Sequence, residues 1–164
     1  MKYSRSAENA VSYGLGHGGF EAIYLAGITS ISVLMMAAEI RSSGTAQMIQ
    51  NFTGGSEAVA EQLRAQLLGF SQMTIPTALI SVFERIVAMA LHVSLSVLVM
   101  ESVMVKGKAW LYPAAIAIHA LMDVPALLYQ SGKIPLLVCE AIMTAFTAVW
   151  VFVAIRYYKA LRAK

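Results

Sequence analysis

The stretch Met73–Val103, MTIPTALISVFERIVAMALHVSLSVLVMESV, constrains this chain more than any other. A bilayer-spanning helix needs about 20 apolar residues, and this run exceeds that length. Its interior nevertheless carries Glu84, Arg85 and His92. An ionised side chain at the middle of a membrane costs roughly 2.5–3.5 kcal/mol even on the lenient insertion scale. Three such groups in one span require partners, water or a chemical role, and the rest of the chain must supply them.

The composition agrees with a membrane setting. Of 164 residues, 59% are hydrophobic and 13% charged, and mean hydropathy is +0.68. A soluble domain could not hide so many long apolar runs. The net charge is only +3, and no basic cluster alternates with aromatics, so nucleic-acid binding has no support. The single Cys139 excludes an internal disulfide and any multi-cysteine zinc site. The opening residues, MKYSRSAENAVSYGLGHGG, are too polar and glycine-rich for a signal peptide.

Hydropathy and punctuation predict an all-α, polytopic bundle forming a single membrane-embedded domain over 1–164, with four spans at about 13–39, 73–103, 109–128 and 134–157. Lys and Arg outside the spans set the orientation. Lys2, Arg5, Lys106, Lys108, Arg156, Lys159, Arg162 and Lys164 share one side; only Arg41, Arg64 and Lys133 fall on the other. Both termini are therefore expected in the cytoplasm, with the protein integral to the cytoplasmic membrane of a prokaryote.

The segment 41–72 is the one sizeable piece outside the spans. RSSGTAQMIQNFTGGS reads as a loop broken at Gly54-Gly55. EAVAEQLRAQLLGF then places Val59, Leu63, Leu67 and Phe70 on one helical face. Two readings fit: an amphipathic helix lying on the membrane surface, or a linker helix packed against the spans.

Seven ionisable residues fall within the spans: His17, Glu21, Glu84, Arg85, His92, His119 and Asp123. His17/Glu21 and His119/Asp123 are each spaced i,i+4, so each pair shares a helix face. Glu84 and Arg85 are about 100° apart around the helix, which predicts that they do not pair with each other. A rise of ~1.5 Å per residue places His92 roughly 17 Å, His119 roughly 15 Å and Glu21 about 12 Å from the same side of the membrane. One glutamate and two histidines at one level can hold a water molecule or a metal. The glutamate can accept a proton from that water, and a neutral histidine can donate a hydrogen bond to a developing oxyanion. The glycines of Gly14-Leu15-Gly16-His17-Gly18-Gly19 permit either close helix packing or an unwound, water-lined opening of the first span. Glu39, Glu101 and Glu140 lie nearer the span ends and read as interfacial. Trp110, Tyr112, Tyr157 and Tyr158 read as aromatic belts, and Cys139 as a packing residue.

Three segments, GLGHGGFEAIYLAG, FERIVAMALHVSLSV and AIHALMD, resemble in order the three motifs of the YhfC family of intramembrane proteases, which belongs with PrsW and the type II CAAX prenyl proteases. The resemblance covers about Gly14 to Pro125. It implies a glutamate-type membrane endopeptidase in which Glu21 activates water, His92 shares that task, and His119 with Asp123 binds the oxyanion. Asp123 stands where type II CAAX proteases usually carry Asn, and is expected to orient His119 or to pair with Arg85. Their motif one has two adjacent glutamates and a following Arg; here Ala22 follows Glu21, and Arg85 is expected to supply the missing charge. Because such proteins usually carry further membrane helices before motif one, the chain is expected to be a shortened member or a fragment.

The leading expectation is a hydrolase that cuts a peptide bond of a membrane protein or peptide substrate within or near the lipid bilayer. Glu21, His92, His119 and Asp123 are the catalytic candidates; His17, Glu84 and Arg85 support them. No cofactor is required in this reading. A zinc ion held by His92, His119 and Glu21 is the rival for the same reaction, since three N/O ligands plus water suit catalytic zinc. A scaffold or a proton or solute pathway is the rival from another class.

Overall fold

Six helices follow one another: α1 (Ala7–Ser43), α2 (Thr45–Thr53), α3 (Glu57–Ser71), α4 (Ile75–Met104), α5 (Leu111–Gln130) and α6 (Leu136–Arg162). They come from a computed structural model of the chain that describes residues 6–163. The terminal cations Lys2, Arg5 and Lys164, used above to argue orientation, lie outside the described residues. α1, α4, α5 and α6 are each long and apolar enough to cross a membrane, as the sequence predicts, although α1 and α6 run several residues beyond the expected edges.

Local chemistry sets the helix ends. Ser6 Oγ accepts the Asn9 N–H at 3.1 Å and caps the start of α1. Before α4, Thr74 and Thr77 exchange bonds: the Thr74 N–H donates to Thr77 Oγ1 at 2.8 Å, and the Thr77 N–H donates to Thr74 Oγ1 at 3.4 Å. Pro76 then occupies the first turn, where its missing N–H is no loss.

The chain divides into two compact units, Met1–Glu21 with Phe83–Lys164, and Ala22–Val82. In the first, α5 and α6 form an antiparallel hairpin. Leu91, Leu95 and Leu98 of α4, Leu111 and Ala115 of α5, and Met143 and Ala154 of α6 are buried together with Ala7 and Ala10 of α1. Large apolar side chains such as Phe20 (70% exposed) and Leu121 (58%) point outward, as a lipid-facing surface requires and a water-facing one forbids.

In the second unit, Met36 of α1, Met48 of α2 and Leu63 of α3 form a small core, with Leu67 and Phe70 packed on it. This realises the packed reading of the 57–70 helix. Val59, expected on the apolar face, is exposed, and Ala60 is buried in its place. The expected loop 41–56 is corrected: residues 45–53 form α2, bounded by Gly44 (φ 83°) and Gly54 (φ 56°). Burying Met48 stabilises a helix too short to persist alone. Asn51 Nδ2 also donates to Glu39 Oε1 at 2.8 Å.

Candidate active site

The site lies wholly within the first unit and begins with how closely α1 approaches α4. A Cβ on Gly14 would sit 2.5 Å from Val93 Cα, and one on Gly18 would sit 3.1 Å from the His92 ring. Two glycines one turn apart therefore let the α1 backbone lie directly on α4, as small residues do between membrane helices. α1 is continuously helical through Gly14–Gly19. Of the two expected uses of this run, close packing is the one the structure adopts.

That approach delivers the next turn of α1 to His92. Glu21 Oε2 lies 3.0 Å from His92 Nε2. The His17 and His92 ring centroids are 4.9 Å apart, and those of His92 and His119 are also 4.9 Å apart. His119 Nδ1 in turn lies 3.6 Å from Asp123 Oδ2 on the same face of α5. The result is a row of three imidazoles contributed by α1, α4 and α5, with the Glu21 carboxylate against the middle ring and Asp123 beside the α5 ring. His92, in the middle, is buried.

Five of the seven candidates thus come together: His17, Glu21, His92, His119 and Asp123. One detail differs from the expected ligand set. The donor atoms that lie within 4.8 Å of one another belong to His17, Glu21 and His92; His119 reaches the group through its ring contact with His92. His17, expected in a supporting role, is therefore part of the centre.

Glu84 and Arg85 do not join it. Contrary to the sequence expectation, they form an ion pair with each other. A long guanidinium stem can curl back to its neighbour, and desolvation rewards even an imperfect pairing. Arg85 contacts neither Asp123 nor the imidazole row in any ion pair among the described residues. Glu84 and Arg85 instead act electrostatically on Glu140. Glu140 is corrected from interfacial to buried, and its Oε2 has no hydrogen-bond partner among the described residues. Glu101 is likewise fully buried, and accepts a hydrogen bond from Lys108 Nζ at 2.6 Å. Cys139 is buried, its thiol toward Met143, as the packing reading requires.

The imidazole row floors one end of a cleft of about 400 Å³ between α1, α4 and α5. Tyr13, Ser96, Val99, Tyr112, Ala115, Ile116 and Ala120 complete its walls. Tyr112, expected in an aromatic belt, is thus a cleft residue, which its helix-end position did not reveal. A second, mostly apolar groove of about 470 Å³ is lined by α1, α4 and α6, with Ser94 and Tyr158 among its walls. It holds no histidine, cysteine or carboxylate.

The comparisons with known proteins bear on this geometry. Residues 1–144 match the family described as YhfC intramembrane metalloprotease. The chain belongs to the YhfC family. It is 31% identical over 163 residues to the uncharacterised membrane protein YhfC of Bacillus subtilis strain 168, covering 97% of this chain and 61% of the relative. The chain thus spans about three-fifths of the length of that curated relative. No solved structure matches the chain. Family membership and four apolar helices make this a membrane protein. The family's description as a metalloprotease directs attention to the donor atoms of His17, Glu21 and His92. Two imidazoles and a carboxylate form a ligand set known for catalytic zinc, with a fourth position left to water. The donor atoms of the three residues lie within 4.8 Å of one another, close enough for one cation to draw them together.

Proposed function

We propose that this YhfC-family chain is an intramembrane endopeptidase whose water is activated at His17, Glu21 and His92. The convergence of their three donor atoms from two spans carries the reading. The resemblance of the three motifs to those of the YhfC family, described as intramembrane metalloproteases, supports the same reaction. The substrate is a membrane protein or peptide, and both termini face the cytoplasm by the distribution of Lys and Arg.

These three residues would hold a divalent cation such as zinc. Held there, it would supply an acidified water near neutral pH and a Lewis acid for the carbonyl. Everything else falls to the chain. His119, one ring along the row, presents an imidazole N–H to the oxygen of the tetrahedral intermediate. Asp123 Oδ2, 3.6 Å from His119 Nδ1, can take up a hydrogen bond from that nitrogen when substrate closes the site, which would set the face that the ring turns to the cleft. The apolar walls exclude bulk water, which strengthens each of these interactions.

A metal-free variant has its own observation. The direct 3.0 Å contact of Glu21 with His92 is also the geometry of a carboxylate–imidazole pair that could take a proton from water unaided. Metal analysis of purified protein separates the two. Stoichiometric metal, lost with His17→Ala and with activity on chelation, supports the metal centre; full cleavage after exhaustive chelation supports the pair. Cleavage of membrane substrates in proteoliposomes that survives both Glu21→Gln and His92→Ala sinks the protease assignment. Proton flux through liposomes without cleavage would point to the pathway reading instead.

A further inference from the structure

The three helix faces that present the imidazole row continue past it. One turn back on α1 is Tyr13, one turn on along α4 is Ser96, and one turn back on α5 is Ala115; all three line the cleft. α1 and α5 run against α4, so these i,i+4 positions lie on one side of the row, about 6 Å from it at 1.5 Å per residue. Gly14 fixes the register of α1 on α4: a Cβ there would sit 3.0 Å from both Ser96 Oγ and the His92 carbonyl oxygen. Ser96 stands out in this layer. A serine within a helix commonly returns its hydroxyl to a carbonyl of the preceding turn. The other three serines of α4 do so: Ser81 donates to Thr77 O at 3.2 Å, Ser94 to Ala90 O at 2.7 Å and Ser102 to Val99 O at 2.7 Å. Ser96 is only 9% exposed, and among the described residues its hydroxyl makes no hydrogen bond. Leaving a buried hydroxyl unpaired is costly, and close packing against Gly14 does not call for one, since alanine would fill the same place.

A peptide supplies the missing partner. Every N–H brought into an apolar cleft needs an acceptor. The carboxylates of Glu21 and Asp123 already face His92 and His119, and Leu95, Val99 and Ile116 offer no acceptor side chain. Tyr13 and Tyr112 are far more exposed, at 66% and 55%. Ser96 Oγ can return its hydrogen to the nearby His92 carbonyl and keep its lone pairs for an incoming N–H. Resting on the endopeptidase reading above, we propose that Ser96 is a substrate-binding residue whose Oγ accepts a main-chain N–H about two residues from the bond to be cut. Two peptide units at about 3.3 Å each span the roughly 6 Å between Ser96 and the row. The contact sets which carbonyl of the substrate arrives at the imidazoles.

Amide-to-ester substitution tests this contact, because it deletes one N–H and keeps the shape of the chain. The probe is a fluorescent, lysine-flanked Leu/Ala peptide of about 20 residues, the length of one span, with its full set of single-ester versions. Binding is measured on the full chain in nanodiscs carrying Glu21→Gln, which keeps the peptide uncut; cleavage is measured with Glu21 intact. With Ser96 present, one ester position should weaken binding by roughly three- to tenfold, the worth of one neutral hydrogen bond. Ser96→Ala should weaken binding of the all-amide peptide by the same factor, and that ester should then cost nothing further. Unfolding temperature should stay unchanged, as a packing role for a residue of this size also allows, so the coupling between side chain and ester is the deciding readout. Full binding by Ser96→Ala, ester and Ser96→Ala losses that simply add, or no binding by any peptide of the set overturns the contact. Mass spectrometry of the cut peptides reads the register: cuts about two residues from the coupled ester, scattering to neighbouring bonds in Ser96→Ala, support the proposal, and an unchanged single cut in Ser96→Ala overturns it. Coupling without any cleavage keeps the contact and removes the hydrolytic reading; cleavage without coupling does the reverse.

Discussion

Glu21 Oε2 on α1 lies 3.0 Å from Nε2 of His92 on α4, a contact between two spans more than seventy residues apart in sequence. It places the carboxylate against the buried middle ring of the imidazole row. General acid–base groups contribute typically 10²–10⁴-fold to rate. Glu21→Gln should therefore lower cleavage by about that factor with little change in thermal unfolding, since the amide preserves shape. A Gln variant with wild-type turnover would remove Glu21 from the chemistry.

Gly14 and Gly18 should separate packing from chemistry. Gly14→Ala sets a Cβ against Val93 backbone, which cannot yield, and overpacking of this kind costs typically 1–3 kcal/mol. Thermal unfolding in detergent should fall accordingly. Gly18→Ala meets the His92 ring, which can turn aside. Its loss should therefore appear chiefly in turnover, with unfolding nearly unchanged. The reverse ordering of the two variants would contradict the close approach of α1 to α4.

Lys108 and Glu101 predict an alkaline limit. The hydrogen bond to the Glu101 carboxylate holds the Lys108 ammonium above the ordinary lysine range. A raised folded-state pKa contributes stability that is complete below the unfolded pKa and is lost as pH climbs through the folded one. Unfolding temperature should therefore drop above the usual lysine pKa, and this drop should be shallower in Lys108→Met. Because Glu101 is fully buried, Lys108→Met alone should be less stable than the Lys108→Met/Glu101→Gln double variant. Equal stabilities would show that the pair is energetically idle.

Glu140 should be a site of stored instability. Its Oε2 is buried without a partner among the described residues, and an unsatisfied buried polar atom costs about 1–3 kcal/mol. Glu140→Leu should raise the unfolding temperature, with Glu140→Gln intermediate. A lower unfolding temperature in both would mean that the carboxylate is satisfied in the membrane.

The four spans and the level of the site were legible because long apolar runs tolerate ionisable residues only where something holds them, so His92 and Glu21 announced themselves. The choice of His17 as the third donor was not legible: rise per residue gives depth, while the ring's direction depends on how Gly14 and Gly18 seat α1 on α4. The helix at 45–53 escaped notice because three apolar positions between glycines make too weak a period without the Met36–Leu63 surface that receives Met48. Glu140 was misread because distance from a span end says nothing about which neighbours bury a face, and this face is buried within electrostatic reach of Glu84 and Arg85.

That neighbourhood has a consequence for how the chain is made. α6 must enter the bilayer carrying Glu140 as its fifth residue, before or as it meets α4. Its long apolar run can carry one acidic group through insertion, because each Leu, Ile, Phe or Val returns about 0.3–0.6 kcal/mol. Until Arg85 is near, however, the carboxylate stands alone in hydrocarbon. A chain whose last span has not docked therefore displays a membrane-exposed acid, a mark by which an unfinished copy differs from a finished one and by which a quality-control protease of the same membrane could tell them apart.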